Sequence, residues 1–200
     1  MIEFTPPEKP YDGYLYDCDG TLADTMPLYY EAWKEAIGIL APEVDYSPQF
    51  FYSMGGLSVA DTVHNINRLW GTSVEIAAAD ELKEAAVARL FTDVQPIKPL
   101  VDYAHACLDA GHPVAVVSGS PRSEVEKTLH SIGLLDRIPI RVCQGEVARG
   151  KPAPDPFLRG AELLGVEPTK CLVLEDSDLG VQSAIDAGMD WIKIPNTMGI

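Results

Sequence analysis

Asp17 and Asp19 stand two positions apart in YLYDCDGTLADT (residues 14–25), directly after a short aromatic and aliphatic run. Like charges at that spacing repel, and the end of a buried strand is a costly place for them. A divalent cation relieves the repulsion, as does a proton held by one of the pair. Hard cations such as Mg²⁺ favour oxygen ligands and bind with few carboxylates, completed by water and phosphate. Asp and Gly after a strand are also ordinary turn formers. Three further stretches carry residues of related chemistry. In VVSGSPRSEV an apolar run stops at Ser118, followed by Gly119 and then Ser120 and Pro121. Serine suits a helix cap and proline the first helical turn, so Ser120 is expected to cap a helix whose free N–H groups favour an anion. In LVLEDSDLG an apolar run stops at Glu175 and Asp176, and Ser177 or Asp178 is placed to cap the next helix. One acidic residue there serves capping; a second is more than capping needs.

The stretch GEVARGKPAPD contains a decoy. Gly145 to Lys151 matches GxxxxGK, but residue 152 is proline where a phosphate-binding P-loop needs Ser or Thr for the metal. A nucleoside triphosphatase is therefore excluded. Lys151, pinned between Gly150 and Pro152, is suited to point one charge at a fixed spot.

These residues need strands to place them. Runs of buried-strand character occur at 13–17, 113–118, 140–143, 171–176 and 191–194, and helical patterns at about 98–110, 121–132, 155–165 and 178–188. In the last pattern Val181, Ala184, Ile185 and Gly188 repeat at helical spacing and are expected to face a sheet. Strands alternating with helices predict an α/β fold, a Rossmann-like three-layer α/β/α core with a mostly parallel sheet. In such sheets ligands bind beyond the carboxyl ends of the strands, where Asp17, Ser118, Glu175 and Asp176 fall. Residues 24–96 break the rhythm. They offer helical stretches (MPLYYEAWKEAIGIL, VADTVHNINRLW, EIAAADELKEAAVARLF) without a strand, between proline-bearing linkers. This predicts an all-helical cap domain inserted after the first strand, with residues 1–23 and 97–200 forming the catalytic core.

Composition narrows the partners. The 200 residues fit one large domain with an insertion, and the net charge of −15 opposes a nucleic-acid partner. The 24–96 segment holds 11 acidic and 4 basic residues, so it is no polyanion-binding lid. No apolar run reaches the roughly 18 residues a membrane span needs, and MIEFTPPEKP does not resemble a signal peptide. The four cysteines show no CxxC pair and read as reduced thiols of a cytoplasmic protein, with Cys18 turned to the core. A monomer or weak homodimer is expected. The chain ends soon after WIKI, so a terminal helix is expected to be missing.

DCDGT, VSGS, GKPAPD and LEDSDLG, in that order, resemble the four-motif signature of the haloacid dehalogenase superfamily, and the insertion resembles the cap of its β-phosphoglucomutase-like branch. The resemblance runs from about Tyr14 to Pro195, including DTMPLYYEAW and SAIDAGM. It implies phosphoryl transfer through an aspartyl-phosphate, with Asp17 as nucleophile and Asp19 as general acid and then base. It also implies Mg²⁺ held by Asp17, the backbone carbonyl of Asp19 and Asp176, with Glu175 in support. Ser118 and Lys151 would bind the phosphoryl oxygens, helped by the backbone of Gly119. A spacing of two lets both aspartates face the substrate while Cys18 faces inward. Gly20 and Thr21 would shape the turn, and Asp24 and Thr25 begin the hinge.

The implied activity is hydrolysis of a small phosphorylated metabolite, with a sugar phosphate such as fructose 1-phosphate as first guess. Haloacid dehalogenases lack the second aspartate, which is present here. β-Phosphoglucomutase is the alternative, but its hinge histidine is replaced by Tyr29, and Val59 follows GGLS where the mutase has a phosphate-gripping arginine. The branch's sugar phosphatases often share that histidine, so Tyr29 does not separate the two. A non-catalytic phosphate-ligand protein is the third reading; all four key residues, Asp17, Asp19, Lys151 and Asp176, argue against it. Gly55 and Gly56 would let a cap loop approach the core, with Ser58 and His64 as neighbours that choose the substrate; for His64 a plain helix-surface role is preferred.

Overall fold

The computed structural model describes residues 2–92 and 94–198. The apolar runs form strands β1 (Gly13–Tyr16), β2 (Val114–Val117), β3 (Ile140–Val142), β4 (Cys171–Glu175) and β5 (Asp190–Lys193). They make one sheet in the order β3-β2-β1-β4-β5, and every pairing is parallel. Strands buried on both faces carry apolar residues without alternation, and GYLY, VAVV and CLVLE do. Tyr14 lies opposite Val114 on one side and Leu172 on the other. β1 is thus the centre, and strand order runs away from it in both directions; that reversal opens a crevice at its carboxyl end.

Helices α5 (Lys98–Asp109), α6 (Arg122–Ser131), α7 (Asp155–Leu164) and α8 (Asp178–Asp186) cover the two faces. Strand residues alternate between them. Tyr14, Tyr16, Val116 and Leu174 join Leu100 and Ala104 of α5 and Leu129 of α6 in one cluster. Leu15, Val117 and Val173 join Phe157 and Ala161 of α7 and Ala184 of α8 in another. Each fully buried side chain of this size stabilises the fold by roughly 1.5–3 kcal/mol. Gly160 brings α7 unusually near the sheet, since a Cβ there would lie 2.4 Å from Leu15 Cδ2. Cys18 faces the first cluster, and all four cysteines are buried and unpaired.

The region after β1 forms α1 (Met26–Leu40), α2 (Pro48–Ser53), α3 (Val59–Trp70) and α4 (Ile76–Leu90). These bury their own cluster, with Trp33, Ile37, Phe51, Val63, Ile66 and Ala79 among its members. The two chain crossings into this segment are pinned together. Asp24 N–H donates to Gln95 O at 2.9 Å, Ile97 N–H to Leu22 O at 2.8 Å, and Ala23 bridges Pro96.

Three sequence expectations change. Helix α2 was not anticipated: it has six residues, too few for periodicity to show, and is started by Ser47, whose Oγ accepts from Phe50 N–H at 3.2 Å. Ile185 does not face the sheet but is 47% exposed, because the buried stripe of α8 is made by Gly180, Val181, Ser183 and Ala184, and Gly188 is exposed beyond the helix end. Ser120 does not cap α6; its hydroxyl is drawn elsewhere, as described next.

Candidate active site

Every sequence-selected strand end arrives at one place. Asp17 follows β1 and donates its N–H to Leu174 O at 2.9 Å, while Ser118 follows β2 and donates to Val142 O at 2.9 Å. The sheet ladder therefore continues one residue past the strands and fixes both backbones. After β4, Glu175 and Asp176 lead into α8, which Ser177 caps by accepting from Gly180 N–H at 3.0 Å.

Lys151 lies at the centre, 8% exposed. Its ammonium donates to Asp17 Oδ1 at 2.6 Å, Glu175 Oε2 at 2.6 Å and Val117 O at 3.0 Å, which uses all three of its protons. It follows Gly150 and precedes Pro152 across a cis peptide bond. Glu175 is engaged at both ends, since Oε1 also accepts from Ser177 N–H at 3.0 Å and Ser177 Oγ at 2.7 Å. Its side chain lies over the start of α8, where a Cβ on Gly180 would come within 2.0 Å of Glu175 Cδ.

Asp176 is less occupied: Thr21 Oγ1 reaches its Oδ1 only at 3.5 Å. Gly20, at φ +85°, clears the space beside it; a Cβ there would lie 2.3 Å from Asp176 Oδ2. Burial first, and then the charge of Glu175, pushes both Asp17 and Asp176 well above the usual carboxylate range. Burial acts against charge on Lys151, but Asp17 and Glu175 outweigh it and hold the ammonium charged.

Asp19 sits differently, partly exposed and gripped at both oxygens. Thr25 Oγ1 donates to Oδ1 at 2.8 Å and Ser120 Oγ to Oδ2 at 2.8 Å, with Ser118 Oγ 3.4 Å away. The missing helix cap has a positional cause: α6 starts at Arg122 with Pro121 in the cap position, so Ser120 stands one residue too early to cap it and its hydroxyl turns to Asp19. Ser118 Oγ in turn accepts from Ser120 N–H at 3.0 Å.

Ligand atoms of Asp17, Glu175 and Asp176 lie within 4.8 Å of one another. Three buried carboxylates face one buried ammonium, leaving a charge deficit that two protons or one dication would fill. An all-oxygen donor set of this kind fits Mg²⁺. Asp17 and Asp176 have oxygens free for it; Glu175, held by Lys151 and Ser177, fits the supporting position.

The cluster opens into a cavity of about 540 Å³ between the sheet and the helical segment. Trp33, Tyr46, Phe51 and Met54 form an apolar wall, and Gly55, Gly56 and Ser58 form the edge nearest the core. Added Cβ atoms on Gly55 and Gly56 would stand 3.6 and 3.3 Å from Ser177 atoms, so this loop does pass close to the start of α8. His64 is exposed on α3 and does not line the cavity.

Four charged residues of the cavity wall were missed by sequence reasoning: Asp80, Lys83, Glu84 and Glu124. Lys83, on α4, is 7% exposed and ion-paired with Glu84, and its ammonium lies 5.7 Å from the Tyr29 ring centre. Tyr29 OH donates to Glu124 Oε2 of α6 at 2.9 Å, joining the helical segment to the core. Burial, opposed by Lys83 and reinforced by Glu84, pushes Glu124 up to about 7. Nothing in DELKEAAVARL distinguishes these charges from an ordinary solvated helix face.

A haloacid dehalogenase-like hydrolase family model matches residues 11–188. The fructose-1-phosphate phosphatase YqaB of Escherichia coli is 35% identical over 185 residues, covering 92% of this chain and 96% of that one. Hexitol phosphatase A of the same organism is 33% identical, covering 91% and 82%. Among solved structures, a hydrolase from Pseudomonas syringae superposes with a TM-score of 0.81 at 22% identity, covering 90% of this chain and 83% of that one. CbbY from Rhodobacter sphaeroides in complex with phosphate gives 0.79 at 23% identity, covering 93% and 87%, and shares the same fold. With the family model spanning most of the chain and its motifs gathered around one buried lysine, this protein is an enzyme of the haloacid dehalogenase-like hydrolase family.

Proposed function

We propose that this enzyme is a Mg²⁺-dependent phosphatase of small sugar phosphates, acting through a phosphorylated Asp17. The observation that carries the reading is the buried Asp17–Lys151–Glu175 ion cluster, with Asp176 beside it and Asp19 standing apart, hydrogen-bonded and in contact with the cavity. The sugar-phosphate preference is supported by relatives named fructose-1-phosphate phosphatase, hexitol phosphatase A and 6-phosphogluconate phosphatase.

In this reading a carboxylate oxygen of Asp17 attacks phosphorus and the bond to the ester oxygen breaks. Asp19 gives its proton to the departing alkoxide, forming the free alcohol. Water then attacks the phosphorus of the Asp17 phosphate, Asp19 takes its proton, and the phosphorus–Asp17 bond breaks to release inorganic phosphate. Ser118 Oγ and the Gly119 N–H orient the phosphoryl oxygens and the Lys151 ammonium attracts them by its charge, while Glu175 fixes Lys151. Mg²⁺, held by Asp17, the Asp19 carbonyl and Asp176, would neutralise phosphoryl charge that a chain of −15 cannot. Residues 24–96 serve as a cap that excludes water over residues 1–23 and 97–200.

The expected result is phosphate release from fructose 1-phosphate that requires Mg²⁺, stops with chelator and is abolished in Asp17→Asn. Full activity in that variant would reject Asp17 as the nucleophile. Conversion of β-glucose 1-phosphate to glucose 6-phosphate would instead favour a mutase.

A further inference from the structure

The cavity wall beyond the catalytic cluster has an unusual charge balance. Its sole basic group among the described residues is Lys83, and it carries no arginine. That lysine is already claimed. Its ammonium is paired with Glu84 and acts on Glu124, and Asp80 lines the same wall. Even with Glu124 neutral, Asp80 and Glu84 outnumber Lys83, so the wall has no surplus positive charge to offer a ligand. Yet it is rich in hydrogen-bonding atoms held in fixed positions. Tyr29, 8% exposed, is anchored by Glu124, and Lys83, 7% exposed, is anchored by its carboxylate partner.

We infer that Tyr29, Lys83, Glu84 and Glu124 form a hydroxyl-recognising wall that selects phosphate esters whose remainder is uncharged and polyhydroxylated, and that rejects those carrying a second anionic group. Hydroxyls both donate and accept, so they fit a wall of alternating carboxylates and an ammonium. A second phosphate or a carboxylate can only accept. It would meet carboxylates whose countercharge is spent, and rejecting it in this way is discrimination by repulsion. The same arrangement explains how a buried basic residue can sit in this cavity without acting as a grip for a second phosphate.

This inference rests on the phosphatase reading, and one pair of esters separates the two. D-Glucitol 6-phosphate and D-gluconate 6-phosphate differ only at the carbon farthest from phosphorus, a CH₂OH in one and a carboxylate in the other. With Mg²⁺ at pH 7.5, the intact protein should show kcat/KM at least about tenfold higher for the glucitol ester, the scale of one like-charge contact in a partly solvated site. In a Glu84→Gln/Glu124→Gln double variant the freed Lys83 should narrow that ratio by about fivefold or more. In Lys83→Met it should widen. Because each ratio is taken within one preparation, a partly misfolded sample leaves it unchanged. Equal use of the two esters by the intact protein would overturn the inference while leaving the phosphatase reading in place, as would a ratio unmoved in both variants. Phosphate release from fructose 1-phosphate but from neither of these esters would overturn the inference alone, and release from none of the three would overturn both.

Discussion

Asp19 shows what one residue's surroundings demand. Its oxygens are held by Thr25 at the start of α1 and by Ser120 ahead of α6, so its position depends on both parts of the molecule. A proton donor to a leaving group matters most when that group is a poor one. Asp19→Asn should therefore slow hydrolysis of a sugar phosphate by about 10²-fold or more, the usual weight of general acid catalysis. An aryl phosphate, whose leaving group departs without help, should lose much less. Equal losses on both esters, measured as kcat, would count against the acid role. The aspartates, Ser118 and the Glu175–Asp176 pair were legible because they stand at or just past the end of an apolar run, and Lys151 because Gly150 and Pro152 pin it. Lys83 and Glu124 were not, because their chemistry comes from burial across α4 and α6, and burial by a distant element leaves no local mark.

At the scale of elements, the seat of α7 on the sheet is a tight constraint. Gly160 faces Leu15 and Val117, and a Cβ there would stand 2.4 Å and 3.0 Å from their side chains. Gly160→Ala must push α7 away from the sheet, and overpacking of this kind costs about 1–3 kcal/mol. Since α7 follows directly after the Lys151 loop, the variant should lower the thermal midpoint and also raise KM for the phosphate ester. Unchanged melting would show that α7 shifts freely. The strands and the nine-to-fifteen-residue helices were readable from periodicity, whereas α2 was not, for it makes its turns with a Ser-Pro start and six residues. The displaced Ser120 hydroxyl illustrates a second blind spot. A shift of one residue in where a helix starts, here at Arg122 with Pro121 in the cap position, moves a serine out of the cap and leaves its hydroxyl to a distant carboxylate.

Across the whole molecule, the net charge of −15 surrounds a site meant for an anion. The long-range field opposes an anion's approach; at the strand ends Lys151 supplies local positive charge, to which the proposed Mg²⁺ would add. Screening shortens that field, with a Debye length falling from about 30 Å at 0.01 M salt to about 8 Å at 0.15 M. Added potassium chloride at fixed Mg²⁺ should thus raise kcat/KM for a phosphate ester, by roughly twofold or more if repulsion governs encounter. A steady decline over the same range would show that attraction at the site outweighs the field.

The paired crossings at Asp24–Gln95 and Ala23–Pro96 have a consequence for how this architecture varies. Where a long excursion leaves and re-enters a scaffold at neighbouring points, its length hardly strains the scaffold, because closure entropy grows only with the logarithm of the loop. The helical segment can then be lengthened, exchanged or trimmed as a module while the site at the strand ends keeps its register. Substrate choice and chemistry are thereby free to drift independently along one chain.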